Sequence, residues 1–177
     1  MKLHIGAGAK FLPGYKHMDA IPHSHIDYVG DASDLSFLSN GSLDEIYACH
    51  ILEHFKREKV QFVLNEWFKK LRVGGILRLA VPNFEAIANV YAHNGNLDEV
   101  MGLLYGGQDN EYNFHYQTYD FTRLKRLLNG AGFYKIEKYN WKEFLPNGFD
   151  DFSRAYLPHM DFENGELMSL NIIAEKE

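Results

Sequence analysis

The sequence has a single cysteine, Cys49, so an internal disulfide is excluded. That scarcity suits a reducing compartment, and a cytoplasmic location is the expectation. Basic clusters are equally scarce: no Lys/Arg run is longer than a pair such as Lys69-Lys70, and the net charge is −6. The electrostatic footprint of a general nucleic-acid binder is therefore missing. No apolar run approaches the ~20 residues that span a bilayer, and the chain opens on what reads as a core strand, so neither secretion nor membrane insertion is expected. There is no internal repeat and no polar tail of the kind that stays disordered.

What is present is ordinary globular material: 177 residues, 46% hydrophobic and 24% charged, enough for one domain over 1–177 with a real core. Aromatic residues, 15% of the chain, crowd between Tyr105 and Phe162, where core and lid packing is the first reading and an aromatic-lined pocket the second. Short β-type runs alternate with helical periodicity, the pattern of an α/β fold with a mainly parallel sheet. Strands are expected over 2–5, 15–19, 26–29, 45–49, 76–81, 133–139 and 167–174. Val60, Val63, Leu64, Trp67, Phe68 and Leu71 fall on one helical face, and Gly74-Gly75 is expected to end that helix. Residues 87–105 read as one or two helices interrupted at Asn94-Gly95, and 121–128 as a helix stopped by Gly130 or Gly132. Segments at about 83–120 and 140–166 are the candidates for an acceptor pocket and its lid, long connections being functional more often than structural.

The chemistry starts in the first nineteen residues. Gly6-Ala7-Gly8 follows the first strand directly, and Asp19 stands at the end of the second. A glycine turn lets the backbone approach a ligand, and a carboxylate placed there can hold a ribose diol, which points to an adenosine-bearing cofactor. Too few residues separate Gly8 from Asp19 for a full strand-helix-strand crossover, so the first helix is expected to be very short or absent.

Histidines supply the remaining candidates. His50 sits at the mouth of the fourth strand. It lies four residues from His54, the spacing of a metal pair, but only Glu53 stands nearby, so no metal is expected and Glu53 and His54 read as starting a helix. His115, among Tyr112, Phe114, Tyr116 and Tyr119, is either packed by aromatics or the general base, since imidazole takes a proton near neutral pH. Asp120 reads as the N-cap of the helix from Phe121 rather than a partner of His115, and His17, His23 and His25 read as solvent-facing. Arg154 pairs either with an anionic group of an acceptor or with an acidic neighbour of its own loop.

Taken in order, Leu3-His4-Ile5-Gly6-Ala7-Gly8, Leu12-Pro13-Gly14-Tyr15, Met18-Asp19, Gly30-Asp31-Ala32, Asp44-Glu45-Ile46, His50-Ile51-Leu52-Glu53-His54, Leu71 to Gly75, Leu77 to Pro82 and Gly130-Ala131-Gly132-Phe133 form a pattern. It resembles the class I S-adenosylmethionine-dependent methyltransferases, in particular the short stand-alone methyltransferase-domain proteins. The resemblance implies a Rossmann-like, seven-stranded, mostly parallel sheet of order 3-2-1-4-5-7-6 with an antiparallel last strand. It implies S-adenosyl-L-methionine as cofactor, with Gly6, Ala7 and Gly8 under its methionine part, Asp19 on the ribose, Asp31 and Ala32 at the adenine, and His50 facing the amino-acid part or the methyl. It places the acceptor among Tyr105, Gln108, His115, Tyr119 and Arg154. The implied reaction is methyl transfer to an oxygen or nitrogen of a small-molecule or carbohydrate-like acceptor, with His115 and His50 as catalytic candidates. The departures from the family pattern are the short first crossover, Ala9 in place of a third glycine and the lack of the N-terminal helical extension that often covers the site; a second subunit completing the pocket, and so a homodimer, is one expectation. A cofactor-binding or interaction module without turnover is the alternative; a NAD-dependent oxidoreductase ranks below it, since the third glycine is missing and Asp19 comes early.

Overall fold

The computed structural model describes residues 1–177. Its main sheet contains β1 (Lys2–Ile5), β2 (Lys16–Asp19), β3 (Tyr28–Val29), β4 (Leu43–Cys49), β5 (Leu71–Pro82), β6 (Phe133–Lys138) and β9 (Ser169–Lys176). A separate small hairpin is made of β7 (Tyr156–Leu157) and β8 (Glu166–Leu167). The order in the main sheet is β3-β2-β1-β4-β5-β9-β6, and β9 runs antiparallel to both its neighbours. This is the expected order, with β9 as the seventh strand of the main sheet.

The side-chain period of two decides what each face carries. Leu3 and Ile5, Ile46 and Ala48, Leu77, Leu79 and Val81, and Leu170, Ile172 and Ala174 point to one side, where they form the main core. That side is covered by α1 (Val60–Lys70), through Val60, Val63, Leu64 and Trp67, and, after α2 (Phe84–Asn94) and α3 (Met101–Tyr105), by α4 (Phe121–Ala131), through Leu124 and Leu128. Trp67 satisfies its indole N–H on the Ala32 carbonyl at 2.8 Å, as a buried Trp must. The alternate positions, His4, Tyr47, Cys49, Arg78 and Asn171, face the other side. Leu12, Phe144, Leu145 and Phe149 cover that side, so part of the long 140–166 connection serves as packing.

Besides strand ends that shift by a few residues, two expectations are overturned, a helix stop and the exposure of a histidine. The Gly74-Gly75 pair does not end α1: the helix stops at Lys70, and Leu71 enters β5 at once by pairing with Leu43. Pairing then shifts and resumes at Ile76 opposite Glu45, so the glycines form an irregularity inside the strand, Gly74 having φ +70°. His17 is buried, not solvent-facing: its Nε2 accepts the Leu12 N–H at 2.9 Å and its ring stacks on Phe11. With no helix between β1 and β2, this side chain braces the connection. Asp120 does cap α4, accepting the Arg123 N–H at 2.6 Å, and Gly132 closes the helix at φ +103°.

Candidate active site

The carboxyl ends of β1, β2 and β4 lie side by side, because these strands pair in parallel through Ile5↔Met18 and Ile5↔Ala48. Ligands of open α/β sheets sit at this edge. Gly6 and Gly8 both take left-handed conformations, at φ +69° and +52°, so the loop turns sharply as it leaves β1. Gly6 and Ala7 donate their N–H groups to Met18 O, at 2.9 and 3.2 Å. A Cβ on Gly6 would fall 2.1 Å from Ile51 Cγ1, whereas one on Gly8 would meet nothing within 4 Å. The loop is therefore packed from below at Gly6 and open to a ligand at Gly8.

Asp19, at the end of β2, accepts the Gly8 N–H on Oδ2 at 2.7 Å and the Ile21 N–H on Oδ1 at 2.8 Å. Each carboxylate oxygen keeps a second acceptor position, so Asp19 can hold a ribose diol while bracing the loop. The open glycine turn and this carboxylate fit the sugar and methionine portions of S-adenosylmethionine. Asp31 is exposed and accepts the Ser33 N–H at 2.8 Å, while Ala32 is fixed through its carbonyl by Trp67.

The loop after β4 is more heavily built. His50 leaves the strand at φ +51°, which costs an L-residue about 1–2 kcal/mol, and its N–H is held on Ala80 O at 2.8 Å. That turn sends the chain into a 3-10 segment, Leu52–His54, and buries Glu53 completely. Neither carboxylate oxygen of Glu53 has a hydrogen-bond partner, and burial lifts its pKa to about 8. Around it stand three imidazoles. His50 Nδ1 is 3.4 Å and His115 Nε2 4.0 Å from Glu53 Oε1, and the His54 ring meets the His115 ring edge-on at 4.8 Å. All three are held below the usual histidine range, chiefly by burial; for His50, the neighbouring His115 and His54 add to it and the value falls to about 3.

A cavity of about 460 Å³ opens beside this cluster, lined by His115 and Tyr105 together with Arg57, Phe84, Gln117 and Arg123 among others. Of the expected acceptor residues, Tyr105 and His115 are there. Tyr119 is not: its ring is fully buried in the main core and its hydroxyl donates to Leu52 O at 3.2 Å. Gln108 is exposed in the neighbouring loop, and its side chain donates to Tyr105 O. Arg154 donates to Phe149 O at 3.1 Å and lies over Trp141 and Phe162, so it anchors the 140–166 segment away from the cavity. Sequence reasoning missed Glu53 as a buried, unpaired carboxylate and the two cavity arginines. Arg57 was legible only as the third residue beyond His54.

Residues 15–79 match the family described as "methyltransferase domain". No curated protein matches the chain in sequence. Among solved structures, a methyltransferase of Thermotoga maritima aligns with a TM-score of 0.60 at 16% identity, over 99% of this chain and 82% of that one. One from Archaeoglobus fulgidus aligns at 0.57 and 17% identity, over 99% and 85%. The Burkholderia thailandensis 1,6-didemethyltoxoflavin-N1-methyltransferase, solved with its acceptor and S-adenosylhomocysteine, aligns at 0.58 and 16%, over 99% and 70%. Residues 15–79 thus carry the sequence pattern of a methyltransferase domain, and the sheet through the whole chain has the strand order of the class I methyltransferase fold that these solved structures share.

Proposed function

We propose that the chain transfers a methyl group to an oxygen or nitrogen of a small, polar acceptor that carries an anionic group. The observation that carries this reading is the cavity itself, which puts Arg57 and Arg123 on the same small volume as His115. Guanidinium groups suit a carboxylate or phosphate, and 460 Å³ suits a metabolite or sugar derivative rather than a polymer. Arg123 is pre-oriented, since its Nη2 donates to Gln117 Oε1 at 2.8 Å, and Gln117 Nε2 is fixed on Phe55 O at 2.9 Å.

When bound, S-adenosylmethionine supplies an electrophilic methyl on a sulfonium. The residues of the chain have mainly to align the acceptor and exclude water. Gly8 lets the backbone approach the cofactor, Asp19 takes the ribose hydroxyls, and the arginines hold the acceptor at a fixed distance. His115 donates from Nδ1 to Leu103 O at 2.9 Å, which leaves Nε2 with a free lone pair. The new bond from acceptor to methyl forms as the carbon-sulfur bond breaks, and the acceptor's proton leaves to water or to His115 Nε2.

A cofactor-binding module without turnover is the second reading, favoured by one observation: Asp19 is already engaged by two backbone N–H groups. The nicotinamide reading is dropped, because the antiparallel β9 between β5 and β6 departs from the parallel 3-2-1-4-5-6 order of dinucleotide folds. Calorimetric titration with S-adenosylmethionine and S-adenosylhomocysteine, followed by a methyl-transfer screen over sugar phosphates and small carboxylates, tests the proposal. Saturable binding and methylation of an anionic acceptor are expected. Binding without transfer to any acceptor moves the module reading forward, and no binding at millimolar ligand overturns both.

A further inference from the structure

We propose that Glu53, His54 and His115 form a binding site for a divalent transition metal of the zinc class, open on one side to the acceptor cavity. The three offer one ligand atom each, and these atoms lie within 4.8 Å of one another. A tetrahedral centre with bonds of about 2.0–2.1 Å separates its ligand atoms by about 3.3 Å, so closing the site asks for side-chain shifts of an ångström or so.

The orientation of the imidazoles is the stronger argument. His115 Nδ1 faces Leu103 O at 2.9 Å, and His54 Nδ1 faces Phe114 O at 3.1 Å. A carbonyl only accepts, so each Nδ1 carries the proton and each Nε2 is left with a lone pair. His50 repeats the pattern with its nitrogens exchanged: Nε2 is 3.1 Å from Ser169 Oγ, and Nδ1 turns toward Glu53. Histidines that bind metals are held in this way, the outer nitrogen donating to a carbonyl or hydroxyl and the inner one free. The centre of the cluster thus collects lone pairs from imidazoles and a carboxylate whose two oxygens are fully buried without a donor. A buried carboxylate in that state is costly unless a cation or a proton compensates it. Imidazole with one carboxylate selects zinc and its first-row neighbours over magnesium or calcium.

Three protein ligands and a free position describe a reactive metal site rather than a closed structural one. Of the three ligands His115 is the one that lines the cavity, and it is on that side that an acceptor would reach the free position. An acceptor hydroxyl bound to the metal would lose its proton to solvent more readily, and His115 would then hold the metal instead of taking the proton. Only this consequence rests on the methyl-transfer reading; binding of the metal does not.

The test uses the full chain, stripped of metal with chelator. Titration with Zn²⁺ by calorimetry and with Co²⁺ by visible absorption is expected to show one saturable site, with Co²⁺ bands of nitrogen and oxygen coordination. His54→Ala, His115→Ala and Glu53→Gln are each expected to weaken Zn²⁺ binding at least tenfold, while His23→Ala leaves it unchanged. Should a variant fail to fold, paramagnetic broadening by Co²⁺ in the wild-type chain decides: the imidazole signals of His54 and His115 broaden first and those of His23, His93 and His159 last. Absence of a saturable site, or broadening spread evenly over the nine histidines, overturns the proposal. Failure to bind S-adenosylmethionine in a separate titration would overturn the methyl-transfer reading and leave the metal site standing.

Discussion

Asp19 holds Gly8: the carboxylate at the end of β2 accepts the N–H of the glycine loop at 2.7 Å and so stands in for the helix that usually backs this turn. The same side chain is the candidate for the ribose, so it carries two jobs that a pair of substitutions separates. Asp19→Ala loses both and is expected to lower stability by about 1–2 kcal/mol while abolishing measurable cofactor binding. Asp19→Asn keeps an acceptor oxygen for Gly8 but turns its amide NH2 toward the Ile21 N–H, so it is expected to lose about 0.5–1.5 kcal/mol of stability, less than Asp19→Ala, while affinity falls by about tenfold. Urea unfolding together with calorimetry on both variants distinguishes these outcomes; equal affinity in Asp19→Asn and wild type would remove the charge from the argument.

Gly6 and Gly8 look alike in the sequence but differ in their surroundings. Both need a left-handed backbone, which costs alanine about 1–2 kcal/mol, but only Gly6 also faces a side chain, Ile51, at clashing distance. Gly6→Ala is expected to cost about 1–3 kcal/mol more than Gly8→Ala. Adding Ile51→Ala to Gly6→Ala clears the clash, so the double variant should be more stable than the sum of the singles predicts. Strict additivity in urea denaturation would show that Ile51 is not what confines the loop.

The strands and the glycine loop were legible because they depend on local signals, whereas the order of the strands in the sheet is non-local and came only from the resemblance to the methyltransferases. Apolar runs ending at Ile5, Met18 and Cys49, and a helical face from Val60 to Trp67, follow from period and burial alone. The Gly74-Gly75 pair misled because a bulge inside a strand and a helix stop use the same residue type; only the pairing of Leu71 with Leu43 tells them apart. Tyr119 and His17 misled for a related reason, since a polar aromatic that finds a backbone partner is content in a core. The Glu53 cluster was half visible: His50, Glu53 and His54 are adjacent in sequence, but His115 reaches them only through the fold.

His4 provides a pH handle remote from the proposed metal ligands. Burial, with smaller contributions from His17 and His25, depresses its pKa from 6.5 to about 3, and Nδ1 has no partner. A folded-state value below the unfolded one means that the unfolded chain binds the extra proton. The contribution is therefore complete above pH 6.5 and is lost as the pH falls toward 3, amounting to a few kcal/mol at about 1.36 kcal/mol per unit. His4→Phe, beside Tyr47 and Phe149, is expected to flatten the decline in melting temperature between pH 6.5 and 4 without moving the value at pH 8 by more than a few degrees. An unchanged slope would shift the acid sensitivity to His17, whose pKa is also pushed down by burial and His25.

The two cavity arginines should differ in how they fail. Arg57 lines the cavity from the exposed segment between the Glu53 turn and α1, so Arg57→Ala is expected to leave the fold intact. Loss of one charge-assisted contact, about 1.5–3 kcal/mol, would raise the KM for an anionic acceptor roughly 10–150-fold with kcat little changed. Arg123 also supports Gln117, which is nearly buried, so Arg123→Ala is expected to lower both stability and affinity. Arg123→Lys separates the two effects, because lysine keeps the charge but cannot reproduce the planar fork that meets Gln117 and an acceptor oxyanion together. Steady-state kinetics on an acceptor and on its uncharged analogue give the deciding comparison. If Arg57→Ala raises KM for both equally, the arginine shapes the cavity rather than reading charge, and the anionic acceptor class is wrong.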